Sequence, residues 1–137
     1  MDATNLFSVK GRVALVTGGS AGIGRMIATG LAAAGARVYI CARGAEKVAS
    51  AAAEIDGDVF GLAADVSTAD GIATLVAEIA GREKAMHILV NNAGGVRAGR
   101  LENTPEAELQ AMIDIDLVAP IMLTRAALPV LREGGDA

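Results

Sequence analysis

The apolar run Val13-Ala14-Leu15-Val16 passes directly into Thr17-Gly18-Gly19-Ser20-Ala21-Gly22-Ile23-Gly24, and that segment opens an alanine-rich amphipathic stretch. Strand, glycine turn and helix start follow one another without a linker, and nothing else in the chain limits its fold so tightly. The first backbone N–H groups of a helix have no acceptor within it, and the helix dipole places partial positive charge at the same end. Glycines let the backbone bend sharply and let an anion approach it closely. The segment therefore predicts a dinucleotide cradle built from Thr17, Gly18, Gly19, Ser20, Gly22, Ile23 and Gly24. The plain alternative is a loop that only joins a strand to a helix.

The same alternation continues. Apolar, β-rich runs predict strands at 12–16, 37–41, 59–63 and 88–91. Between and after them, helices are expected at 22–34, at 45–55, from a Ser67 or Thr68 cap to about 80, and from Thr104-Pro105-Glu106 to about 131. Gly35 stands where a left-handed residue closes the first helix. Pro120 should kink the last one, because it removes a backbone donor and its ring collides with the preceding turn. A β-α-β-α-β-α-β-α order means a parallel sheet with helices on both faces and right-handed crossovers. The expectation is an α/β, Rossmann-type doubly wound sheet of order 3-2-1-4, ending before a fifth strand, with ligand above the carboxyl ends of strands 1 and 4. At 137 residues this is one domain, 1–137.

Composition narrows the partners. Apolar residues make up 53% and mean hydropathy is +0.44, while the aromatics are only Phe7, Tyr39 and Phe60. The core must then be Ala, Val, Leu and Ile, with small residues letting helices lie close to the sheet. A net charge of −4 argues against nucleic acid or an anionic membrane surface as partner. The stretch 117–131 contains Pro120, Arg125 and Pro129 and falls short of the roughly 20 residues that span a bilayer. The start lacks the basic and apolar segments of a signal peptide, and the single Cys41 fits a reducing compartment, so a cytoplasmic protein is expected. No metal site is expected.

The other strand ends carry the remaining candidates. A site for NAD needs an acid near the end of the second strand, about 20 residues beyond the glycines, to hold the ribose 2′-hydroxyl. Cys41-Ala42-Arg43 stands there, and the nearest acid, Glu46, already lies in the next helix. Arg43 can bind a 2′-phosphate through charge-assisted bonds, so NADP(H) is expected; a solvated arginine is the alternative. Asp65-Val66 ends the third strand. Its carboxylate can cap the following helix, or accept from an adenine amino group while the next N–H donates to the ring. Asn91-Asn92-Ala93-Gly94 ends the fourth strand, where buried amides need partners or cost about 1–3 kcal/mol each. His87 enters that strand at the end away from the cofactor and reads as a surface residue. Cys41 reads as a buried small hydrophobe. Tyr39 is followed four residues later by Arg43 rather than lysine.

The T-G-x-x-x-G-I-G and N-N-A-G segments resemble those of the short-chain dehydrogenase/reductase family, and the likeness runs from residue 7 to 133, the family's N-terminal half. The segments Val13-Ala14-Leu15-Val16-Thr17-Gly18-Gly19-Ser20, Ile40-Cys41-Ala42-Arg43 and Leu123-Thr124-Arg125-Ala126-Ala127-Leu128-Pro129 are most similar to 3-oxoacyl-thioester (acyl-carrier-protein) reductases. The resemblance implies an NADPH-dependent oxidoreductase that reduces a carbonyl, such as a carrier-bound 3-oxoacyl group, to an alcohol. It implies that Asp65 and Val66 meet adenine and that Asn91, Asn92, Ala93 and Gly94 line the ribose. Asp116 stands where the family carries an asparagine whose carbonyl helps hold a relay water. An aspartate keeps that carbonyl and adds a charge that raises the pKa of a nearby tyrosine; a solvated, idle Asp116 is the alternative. Many members carry a base where this chain has Ala21, so Ser20 and Arg43 would share the phosphate. The family's helix corresponding to 105–131 packs against a symmetry mate. That implies a homo-oligomer through Leu117, Val118, Ile121, Met122, Leu128 and Leu131. The family's serine and Tyr-x-x-x-Lys would follow position 137, so the chain is expected to supply the cofactor-binding half and to be inactive alone. A non-catalytic NADP(H)-binding module and a truncated remnant are the other readings.

Overall fold

The computed structural model describes residues 3–95 and 98–135. A short α1 (Ala3–Leu6) leads into β1 (Val13–Thr17), α2 (Gly22–Ala33), β2 (Arg37–Ala42), α3 (Ala45–Ala53), β3 (Val59–Ala63), α4 (Ala69–Arg82) and β4 (Ile88–Val90). A 3-10 turn at Leu101–Asn103 precedes α5 (Glu106–Ile113), a π-helical turn at Asp114–Val118 and α6 (Ala119–Arg132). The strands form one parallel sheet in the order β3-β2-β1-β4, the doubly wound arrangement expected from the alternation.

Side chains of a strand alternate between faces, and the two faces here build two cores. Val13, Leu15, Tyr39 and Cys41 meet Ile72, Leu75 and Ile79 of α4 and Leu123, Ala127 and Val130 of α6. Val16, Val38 and Ile40 meet Ala28 and Ala32 of α2 and Val48 and Ala51 of α3. The small residues of α2 bring its backbone close to the sheet. Gly35, at φ +88°, turns the chain from α2 into β2. Thr68 rather than Ser67 caps α4, its hydroxyl oxygen accepting from the Gly71 N–H at 3.0 Å.

At the amino ends of the strands a polar clasp ties β2 to the C terminus of α4. The Tyr39 hydroxyl donates to Glu83 Oε1 at 2.6 Å, and Arg37 donates to Glu83 at 3.1 Å and to Asp58 at 2.6 Å. Burial, with the Glu83 carboxylate beside it, pushes the Tyr39 hydroxyl up to about 12. His87 is half-buried rather than a plain surface residue. Its ring Nδ1 accepts from the Val13 N–H at 3.1 Å while the His87 backbone N–H donates to the Val13 carbonyl at 2.9 Å. The ring thus extends the β1–β4 ladder by a side chain, which requires Nδ1 to be unprotonated.

The C-terminal helix departs from the sequence expectation. Pro120 stands in the second position of α6, but the helical backbone runs on without a break from α5 through the π turn into α6, so its missing N–H does remove one intrahelical bond. The irregularity lies one turn earlier. The backbone widens to a π turn in which the Ala119 N–H bonds the Asp114 carbonyl. Pro120 has no N–H to offer the Asp116 carbonyl four residues before it.

Candidate dinucleotide site

β1 and β4 end side by side, and Thr17 joins them. Thr17 is the one polar residue among the described residues that is fully buried. Its Oγ1 accepts from the N–H groups of Asn92 at 3.0 Å and Ala93 at 2.8 Å and donates to the Val90 carbonyl at 3.3 Å. Asn92 Nδ2 donates back to the Thr17 carbonyl at 2.9 Å and more weakly to that of Gly18 at 3.4 Å. The amide at this strand end therefore has the partners it needs, and the glycine turn is stitched to the loop after β4.

The turn then folds over the sheet. Gly18 and Gly22 take positive φ, +66° and +54°. The Gly18 and Gly19 N–H groups both donate to the Cys41 carbonyl, at 2.9 and 3.3 Å. A Cβ on Gly24 would run into Asn92 Nδ2 and the Gly18 carbonyl, so only glycine lets α2 start this close to the clasp. Ala21, the N-cap of α2, offers no side-chain acceptor to the first-turn N–H groups, which are left open for an anion.

Above the carboxyl ends lies an open cleft of about 930 Å³. It gathers Gly18 and Ser20 from the turn, Arg43 after β2, Asp65 and Val66 after β3, and Asn92, Ala93 and Gly94 after β4. Thr17, Gly19, Gly22 and Gly24 shape the turn without lining the cleft, and Ile23 points to solvent at the start of α2. Asn91 lies outside it. Its Nδ2 donates to Thr124 Oγ1 at 3.1 Å, and it faces a separate groove of about 440 Å³ beside β4 with His87, Leu89 and Leu128. Asp116 also stands outside, but grips the loop from behind: its Oδ1 accepts from the Gly95 N–H at 3.0 Å.

Electrostatics within the cleft are uneven. Hydrogen bonds from the Ser67 hydroxyl (2.6 Å) and N–H (3.0 Å) hold the Asp65 carboxyl below its ordinary range, and the Arg43 charge adds to the effect. Asp65 thus makes an Asx turn and leaves the capping of α4 to Thr68. Burial pushes the Cys41 thiol up to about 11, so it stays protonated and inert at neutral pH. Sequence reasoning missed Lys47, Ser67, Asp114 and Ile115 as lining residues. Lys47 was within reach, since it stands in the first turn of the helix that begins just after Arg43; Asp114 depends on the π turn, which has no local signal.

A family model for the short chain dehydrogenase matches residues 12–137. The rhamnolipids biosynthesis 3-oxoacyl-[acyl-carrier-protein] reductase of Pseudomonas aeruginosa is 41% identical over 133 residues, 96% of this chain and 52% of that protein. The 2-dehydro-3-deoxy-D-gluconate 5-dehydrogenase of Formosa agariphila is 33% identical over 127 residues, 90% of this chain and 48% of that protein. Among solved structures, the Pseudomonas aeruginosa RhlG/NADP active-site complex superposes with a TM-score of 0.90 at 41% identity, over 93% of this chain and 51% of that one. A metagenomic short-chain oxidoreductase in complex with NADP gives 0.82 at 40% identity, over 90% and 58%. The chain spans about half the length of the curated relatives it matches.

Proposed function

Because the chain belongs to the short-chain dehydrogenase family, we propose that it binds NADP(H) and forms the cofactor-binding half of an oxidoreductase that reduces a carbonyl to an alcohol. The observation that carries this reading is Arg43, placed at the acid-free end of β2 in the same cleft as the glycine turn. The site fits the group: the positions at Gly18 and Gly24 exclude a Cβ, and the start of α2 is uncapped.

When bound, NADPH supplies the hydride. The residues of this chain do the holding. The open N–H groups of α2 meet the diphosphate, Arg43 and Ser20 meet the 2′-phosphate, and the Asp65 oxygen not tied to Ser67 accepts from the adenine amino group. The Thr17–Asn92 clasp fixes the floor on which the ribose rests. Asp116 steadies the loop after β4 through Gly95, and its backbone carbonyl, which Pro120 cannot serve, is the candidate holder of a relay water. Tyr39 is not the proton donor: it is the only tyrosine, and its hydroxyl is engaged by Glu83 away from the cleft. Likeness to the Pseudomonas aeruginosa reductase supports a 3-oxoacyl thioester as substrate, and the exposed Leu117, Val118, Ile121 and Leu128 support a homo-oligomer. Among the described residues no helix is long and apolar enough to cross a membrane.

Calorimetric titration with NADP+ and NAD+ tests the cofactor reading. NADP+ at 100 times its Kd should stabilise the fold by about 2.7 kcal/mol. Arg43→Asp should shift preference from NADP+ towards NAD+. Failure of both cofactors to bind, or equal binding before and after the substitution, would overturn it.

A further inference from the structure

The glycine turn 17–24 contains no charged side chain. A 2′-phosphate carries between one and two negative charges at neutral pH and draws charge-assisted bonds from cations. Arg43 alone is a thin counter-charge for it, especially with Asp65 and Asp114 lining the same cleft. The structure supplies a second cation. Lys47, in the first turn of α3 and four residues beyond Arg43, lines the cleft with Arg43, Gly44 and Ser20.

Neither Arg43 nor Lys47 is in an ion pair among the described residues, whereas Arg25, Arg37 and Arg82 are committed to Glu54, Asp58 with Glu83, and Glu78. Glu46, the acid nearest to both in sequence, is exposed and does not line the cleft. Two like charges lining one cleft repel, and an anion between them relieves the repulsion. Gly44, the N-cap of α3, brings no side chain to fill the space, and the open first turn of α3 adds partial positive charge at the same spot.

We propose that Lys47 is a specificity-determining residue of this chain, binding the 2′-phosphate of NADP(H) together with Arg43 and Ser20. The charge that the turn lacks is supplied from the next helix. The inference rests on the NADP(H) reading of the cleft, and one experiment separates the two. NADP+ and NAD+ are titrated calorimetrically into the wild-type chain, Lys47→Ala and Lys47→Glu, with the melting temperature of each variant checked first. Lys47 is exposed, so the variants should melt like the wild type. The NADP+ Kd should rise about 10-fold in Lys47→Ala and further in Lys47→Glu, while the NAD+ Kd changes less than about 2-fold, and the salt dependence of NADP+ binding should become shallower. A wild type that prefers NADP+ with unchanged Kd values in both variants overturns the role of Lys47 and leaves the cofactor reading standing. A wild type that binds neither cofactor, or both equally, overturns the cofactor reading itself.

Discussion

The two flanks of the sheet are finished to different degrees. On the flank formed by β3, β2 and β1, the two inner strands are covered on both faces, and β1 has no exposed residue. On the other flank, β4 is a three-residue edge strand, only half-buried along its length. The helical stretch beside it exposes Ile113, Leu117, Val118, Ile121 and Leu128. The difference separates two tasks. The nucleotide grip is built from contacts that close within β1, the glycine turn and the β4 loop. Both outer strands, β3 and β4, leave an unpaired edge, and the open flank adds to its edge the apolar helical surface that calls for a cover. Binding should therefore be sensitive to substitutions in the clasp and indifferent to substitutions on the open helices.

The sharpest way to break this contrast is at Gly24. A valine there meets Asn92 Nδ2 and the Gly18 carbonyl, neither of which can move without undoing the clasp. Gly24→Val should cost about 3 kcal/mol or more and abolish NADP+ binding. A variant that melts like the wild type would mean the turn is looser than its geometry implies. Thr17→Val comes next. It keeps the volume but removes the oxygen that serves Asn92, Ala93 and Val90, leaving buried donors without an acceptor. The expected loss is about 2–3 kcal/mol with weaker NADP+ binding, measured by denaturant unfolding and titration.

The closed flank should also show in alkali. Cys41 has its thiol raised to about 11 from an ordinary 9.0, and Tyr39 its hydroxyl to about 12 from 10.0. A folded state that holds its proton longer than the unfolded chain is stabilised below the unfolded pKa and loses that stability as pH rises through the folded one. Stability should thus be intact up to about pH 9 and then fall towards pH 11, by something on the order of 2 kcal/mol from Cys41 alone. Cys41→Ala should remove the earlier step, so that the decline starts near pH 10. An unfolding free energy that falls from the same pH in both proteins would remove Cys41 as its cause.

How much of this was legible from the sequence follows the same division. The closed flank announces itself in local signals. Val38 and Ile40 alternate with Tyr39 and Cys41, as the two buried faces of β2 require, and Gly35 stops α2 where its positive φ is needed. The Asp65–Val66 and Asn92–Gly94 segments fall in the cleft because each directly follows a strand that ends there. What could not be read depends on partners far along the chain. Asp116 finds the Gly95 N–H across 21 residues, and His87 meets Val13 across 74. Asn91 and Asn92 look alike as a pair, yet an alternating backbone sends one to Thr124 and the other to Thr17. The π turn was hidden because Pro120 signals a break without saying on which side the backbone gives way.

The smallest expected effect on stability is on the open flank, and it tests what covers that flank. Ile121 is exposed on α6 beside exposed Leu117 and Val118. Replacing an exposed residue away from caps and clasps changes stability by about 0.5 kcal/mol or less. A glutamate at that position in a homotypic contact faces its own copy across a two-fold axis, where like charges repel and a desolvated carboxylate is costly. Sedimentation should therefore show the wild type as a dimer or larger at micromolar concentration and Ile121→Glu shifted towards monomer, with the same melting temperature and the same NADP+ affinity. A wild type that is already monomeric would mean this apolar face is covered by something other than a second copy. Loss of NADP+ binding in Ile121→Glu would show that the two flanks are coupled, because no contact in the Thr17–Asn92 clasp passes through α6.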